Sequence, residues 1–135
     1  MKTNIFLITS CIAIAFFATA FTFSNPPKPW IVPDKYLKMS NPVKSDAKSI
    51  ASAKLLWVKN CQDCHGKKGI GDGSKAPDLK AQPADLSSSA IQSQSDGALF
   101  FKISEGRDEM PKFKKEITDP DEIWSIVNYV RTLKK

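Results

Sequence analysis

Histidine is almost missing from this sequence: its 135 residues hold one, His65. Cysteine is scarce too, with Cys11 in an apolar leading run and only Cys61 and Cys64 beyond it. A structural zinc site takes four Cys or His ligands, typically from two spaced pairs. Past the leading run this chain owns three such residues, so that site is excluded. Three cysteines cannot staple a disulfide-dense secreted scaffold either. No convincing run alternates apolar and polar residues, which removes the expected signal for strands and the βαβ setting of a thioredoxin-type redox pair. There are no internal repeats. Charge of one sign does not dominate, with 20 Lys and Arg against 14 Asp and Glu, a net of +6. With 41% hydrophobic and 25% charged residues the chain has globular composition, which excludes collagen-like, wholly disordered and multi-span membrane classes.

The chain divides into three parts. Residues 1–23 read as a signal peptide or N-terminal membrane anchor. Lys2 precedes a nearly unbroken apolar run over residues 5–23, about 28 Å as a helix against a hydrocarbon core of roughly 30 Å. Ala18, Thr19 and Ala20 offer a small-x-small cleavage site, while Phe21 and Phe23 extend the run past it and suit an uncleaved tether. Both versions export the remainder of the chain. Cys11 does not suit a lipid anchor, because the apolar run continues well beyond it. Residues 24–46 hold five of the nine prolines, which remove N–H donors and favour extended backbone. This stretch reads as a Pro-rich spacer, or as an ordered arm packed on the domain through Trp30 and Tyr36.

Residues 47–135 carry only helical periodicity, and the expected fold class is all-α. A first helix over 47–60 puts Ile50, Ala53 and Trp57 on one face, with Leu56 beside them. Ser95 caps a short helix over 96–104 that Gly106 terminates. Asp119, Pro120 and Glu122 open the last helix as cap, first residue and capping box. Its buried stripe is Ile123, Ile126, Val127, Val130 and Leu133, with Arg131, Lys134 and Lys135 at the negative end of its dipole. A domain of this length buries only about 60–65% of its unfolded surface. A bulky apolar cofactor at its centre would thicken so thin a core.

The segment Cys61-Gln62-Asp63-Cys64-His65 supplies the chemistry. C-x-x-C-H is the attachment signature of c-type haem. Two thiols three positions apart at a helix end lie on one side of the chain and can add to two porphyrin vinyl groups. The histidine after them projects over the ring and offers Nε2 to the iron. On these residues, residues 47–135 resemble the class I, mitochondrial-type cytochrome c family, in its exported bacterial monohaem form. The resemblance implies three or more helices wrapped around one covalently attached haem c, with the last helix packed across the first. The matching positions are Ala53 and Trp57 against Ile126 and Tyr129; the family usually has glycine where Ala53 stands. It implies that the Pro77 carbonyl accepts a hydrogen bond from the other ring nitrogen of His65. It implies too that Met110, in a Met-Pro pair after a glycine turn, is the second axial ligand of the iron. Met39 lies in the spacer and is expected only to pack. Four of the six glycines fall within residues 66–73, where backbone is expected to run close along the ring.

With both axial positions filled by protein, such a site suits one-electron transfer rather than bond-making, and no enzyme activity is expected. Methionine ligation favours Fe(II) and raises the reduction potential. The expected role is an electron carrier on the periplasmic side of the bacterial cytoplasmic membrane, with redox proteins as donors and acceptors. Two other roles stay open: a haem sensor or small-peroxide enzyme with a displaceable Met110, and a haem subunit of a larger respiratory complex. Net charge on residues 47–135 is +3, too little for nucleic-acid binding. Lys112, Lys114 and Lys115 beside Met110 either steer an acidic partner or form a solvated loop. Arg107 is near enough in sequence to reach a haem propionate.

Overall fold

A computed structural model describes residues 28–135; the leading run, with its signal-peptide and anchor readings, lies outside the described residues. Among the described residues six α-helices succeed one another: α1 (Asp34–Leu37), α2 (Ala47–Asn60), α3 (Gln62–His65), α4 (Ser89–Gln92), α5 (Asp96–Glu105) and α6 (Pro120–Thr132). Short 3-10 turns occupy Ala76–Asp78 and Phe113–Lys115. Among the described residues there is no strand, only one isolated bridge between Arg107 and Met110. The all-α expectation holds. No helix among them is long and apolar enough to cross a membrane.

Helix α2 starts where Asp46 and Ser49 exchange side-chain-to-backbone hydrogen bonds, the Ser49 N–H donating to Asp46 Oδ1 at 2.9 Å and the Asp46 N–H to Ser49 Oγ at 3.1 Å. This reciprocal cap forms here and not at α6, where the sequence suggests it. There Pro120 occupies the first helical position, and Asp119 Oδ1 accepts from the Asp121 N–H at 2.9 Å instead. Ser95 caps α5 as expected, and the chain leaves that helix at Gly106 with φ 59°.

The core is the crossing of α2 and α6. Ala53 and Trp57 are buried and face Ile123, Ile126, Val127, Tyr129 and Val130. The Trp57 and Tyr129 rings sit 5.3 Å apart between centroids. Phe100 of α5 stacks on Trp124 of α6 at 4.1 Å. The sequence predicts a one-sided stripe on α6, yet every residue from Ile123 to Val130 is buried. The cause is α5 together with the arm: Phe100 covers Trp124, and the arm meets α6 through Asn41 and Val43.

Asn41 holds that arm in place. Its Nδ2 donates to the Trp124 carbonyl at 3.1 Å and to Asn128 Oδ1 at 2.9 Å, and Asn128 Nδ2 donates to the Val43 carbonyl at 3.0 Å. Tyr36 packs on Phe101 at 4.8 Å. Gly97 lets the arm come this close, because a Cβ there would run into the Tyr36 carbonyl oxygen. Arg131 does more than meet a helix dipole. Its guanidinium donates to Asp96 Oδ1 and to the carbonyls of Gln92 and Gln94, which pins the start of α5 to α6. Replacing Asn41 by alanine leaves the buried Asn128 Oδ1 without its donor, and an Asn41→Ala chain is expected to lose about 2 kcal/mol of stability in denaturant unfolding.

Candidate functional site

The α2–α6 crossing decides where the cysteines go. Trp57 is locked in the core, its carbonyl accepts from the Cys61 N–H at 2.9 Å, and one further turn, α3, starts there. The carbonyl of Cys61 then takes the N–H groups of both Cys64 and His65 at 3.2 and 2.9 Å. Residues three apart in a helical turn share a face, so Cys61 and Cys64 are presented together with His65 at the end. Both cysteines are free thiols, Cys61 buried and Cys64 half-buried.

Their surroundings separate two kinds of chemistry. Burial, with the neighbouring Cys64 second, pushes the Cys61 thiol up to about 12. A redox dithiol needs a lowered value to make its nucleophilic thiolate; Cys61 has the opposite and stays neutral. His65 is half-buried, with its Nδ1 enclosed. Burial holds its imidazole below the usual histidine range, offset in part by the Ala84 backbone. The ring is thus neutral and able to bind a metal. Ala84 is close enough to act on the ring, but no acceptor completes a hydrogen bond with Nδ1, which is buried and unpartnered. Such a buried donor is rare and calls for a cause. Pro77, the expected acceptor, sits exposed in the Ala76–Asp78 turn.

The glycine-rich loop after His65 is drawn back onto α3. The N–H groups of Gly71, Gly73 and Lys75 donate to the carbonyls of His65, Cys64 and Asp63 at 2.9, 3.2 and 2.7 Å. Glycine therefore serves backbone-to-backbone packing against the cysteine turn as well as the turns themselves. A surface ion pair, Lys75 with Asp63 at 3.1 Å, closes the same loop.

Met110 is half-buried against the core cluster that contains Trp57 and Cys61. It closes a tight turn in which Arg107 and Met110 exchange N–H to carbonyl bonds at 3.0 and 2.9 Å. Gly106 enters this turn at φ 59°, ψ 176°, a conformation nearly confined to glycine. The Lys80 N–H donates to Glu109 Oε2 at 2.8 Å, so the loop after Pro77 is tied to the Met110 turn. A shallow cleft of about 460 Å³ lined by Lys80, Ala81, Asp108 and Glu109 marks that seam.

Of the other expected residues, Arg107 is taken up by the arm: it donates to the Lys28 carbonyl at 3.0 Å and lies 4.5 Å from the Trp30 ring centroid. Lys114 pairs with Glu105 at 2.7 Å, whereas Lys112 and Lys115 are exposed. Met39 is partly exposed in the arm. The Glu109–Lys80 link and the Asn41–Asn128 pair carried no sequence signal, since each joins polar residues far apart in the chain.

The donor set fits a covalently held haem better than a bare metal. Among the described residues no three His, Cys, Asp or Glu side chains converge on one point. Two free thiols, a neutral imidazole and a half-buried thioether suit thioether attachment and axial ligation.

The family model described as cytochrome C oxidase, cbb3-type, subunit III matches residues 48–130. Among curated proteins none matches the sequence significantly. A chain of the Kuenenia stuttgartiensis reducing HAO-like protein complex Kustc0457/Kustc0458 is similar in fold, with a TM-score of 0.63 and 23% identity over 83% of this chain. This chain spans about half, 53%, of that chain's length. The KustC0563 c-type cytochrome has a TM-score of 0.52 and is 30% identical, over 62% of this chain and 98% of its own.

An alanine at position 106 would have to adopt a glycine conformation, and its Cβ would meet the carbonyl oxygens of Met110 and Pro111. Gly106→Ala is expected to cost about 2 kcal/mol or more in denaturant unfolding.

Proposed function

The chain belongs to the family described as cytochrome C oxidase, cbb3-type, subunit III, a family of c-type cytochrome domains, and on that premise we propose that it is a monohaem electron carrier. The observation that carries this reading is the single turn that presents two free thiols and ends on a half-buried imidazole whose enclosed Nδ1 has no partner. Cys61 and Cys64 would hold the haem through thioether links, and His65 Nε2 and the Met110 thioether would bind its iron. The bound group supplies a one-electron Fe(III)/Fe(II) couple, exchanged with partners without making or breaking bonds. What remains for the protein is to hold two axial side chains and keep water from the iron. The unpaired Nδ1 of His65 would donate to a backbone carbonyl of the 77–84 loop, Pro77 first, in the loaded protein, which would make the ligand more basic.

The domain, taken as residues 47–135, works with residues 28–46 strapped across it. Residues 5–23 supply the export signal, kept as an anchor or removed, and place the domain on the periplasmic side. Lys112 and Lys115, exposed beside the Met110 turn, favour acidic redox partners. A second reading, the haem subunit of a larger assembly, draws on the similarity to a chain of a multi-protein complex.

Maturation of the exported chain should give a coloured product on a denaturing gel with the mass of one added haem. Cys61→Ala with Cys64→Ala should abolish both, and a colourless wild-type product refutes the proposal. Met110→Ala should let carbon monoxide bind the reduced protein and lower the potential by on the order of 100 mV. Steering by the lysines should show as transfer rates to acidic partners that fall as ionic strength rises. Rates indifferent to salt would refute the steering role.

A further inference from the structure

The Met110 turn is weakly built from within. Arg107 and Met110 share one pair of backbone bonds, Gly106 enters at φ 59°, and Asp108 is the one described non-glycine residue with positive φ, at 53°. L residues at such angles are held by their surroundings. Two outside contacts do this. On one side the Lys80 N–H binds Glu109. On the other, the Arg107 guanidinium is bound by the arm through the Lys28 carbonyl at 3.0 Å and the Trp30 ring at 4.5 Å. Lys102 Nζ lies 5.5 Å from the same indole. Two cations thus share one aromatic ring, and the ring's negative face offsets their mutual repulsion. Burial and the Arg107 charge both hold Lys102 below the usual lysine range, so the cluster is tight enough for each charge to act on the next.

We propose that Trp30 is a positioning residue for Met110: the arm grips Arg107, and Arg107 sets the turn from which the thioether is offered. The idea rests on Met110 being an axial ligand. The arm is then more than cover for α5 and α6. It fixes how readily Met110 leaves the iron, and so how closed the site is to outside ligands.

The test uses the full-length exported holoprotein and its Trp30→Ala, Trp30→Phe, Arg107→Lys and Met110→Ala variants. Three quantities are read: affinity of the oxidised protein for imidazole, the weak sulfur-to-iron band at the red end of the spectrum, and amide hydrogen exchange at Arg107 and Met110. Losing the ring contact should raise the open population, so Trp30→Ala should bind imidazole roughly tenfold more tightly and weaken the red band. Exchange at Arg107 and Met110 should quicken while amides of α2 and α6 keep their protection. Trp30→Phe should restore most of the effect, and Arg107→Lys should fall between. If Trp30→Ala and Arg107→Lys match the wild type in imidazole affinity and in Met110 exchange, the proposal is overturned. If Met110→Ala leaves imidazole affinity and the red band unchanged, axial ligation by Met110 fails instead. Faster exchange at Met110 in Trp30→Ala would still support the grip on the turn, and unchanged exchange would overturn it.

Discussion

Everything in this molecule hangs from the place where α2 crosses α6. Ala53 is wholly buried there, and its single methyl group lets the two backbones approach. Trp57, one turn on, fills the space beside Tyr129 and is almost as completely enclosed. A helix clamped in this way cannot roll, so the turn that grows from its end has one direction available. Cys61 hydrogen-bonds back to Trp57, and Cys64 and His65 hydrogen-bond back to Cys61. The geometry of the cysteine turn is therefore inherited from a packing contact between the two ends of the domain.

The arm turns an exposed helix into a central one. Proline-rich backbone has few donors of its own to satisfy, so it can lie along a helix in extended form without building a sheet. Its register is set by side chains: the Asn41 amide reads the Trp124 carbonyl and Asn128, and Tyr36 reads the phenylalanines of α5. A small domain with a thin core gains a second layer over α6 by this route. The arm also reaches the Met110 turn through Arg107, which links the layer that stabilises the fold to that turn.

The opposite shifts of Cys61 and a redox thiol show how burial selects chemistry. The same C-x-x-C spacing serves disulfide exchange where positive charge or a helix N-terminus lowers a thiol. Here an apolar setting raises Cys61 and lowers His65, so both are neutral. Free thiols and a neutral imidazole are reagents for attachment and ligation. The spacing names candidates, and the surrounding dielectric chooses among them.

Helices α2, α5 and α6, the caps at Ser95 and Asp119, the stop at Gly106 and the cysteine turn were legible in sequence, because each depends on residues within one or two turns of each other; the four-residue helices α1 and α4 were not. The family resemblance was legible for the same reason, resting on five consecutive residues and a few helix positions. The buried back of α6, the reciprocal cap at Asp46 rather than Asp119, the capture of Arg107 by Trp30 and the link from Lys80 to Glu109 were not. Asn41 and Asn128 are 87 positions apart, and Lys28 and Arg107 are 79 apart. Nothing in local periodicity records which distant polar group will satisfy which, since that depends on how the elements pack. Sequence alone determined which residues could carry the chemistry; the tertiary structure decided how they are buried, braced and offered, because burial and long-range hydrogen bonding exist only once the chain has closed on itself.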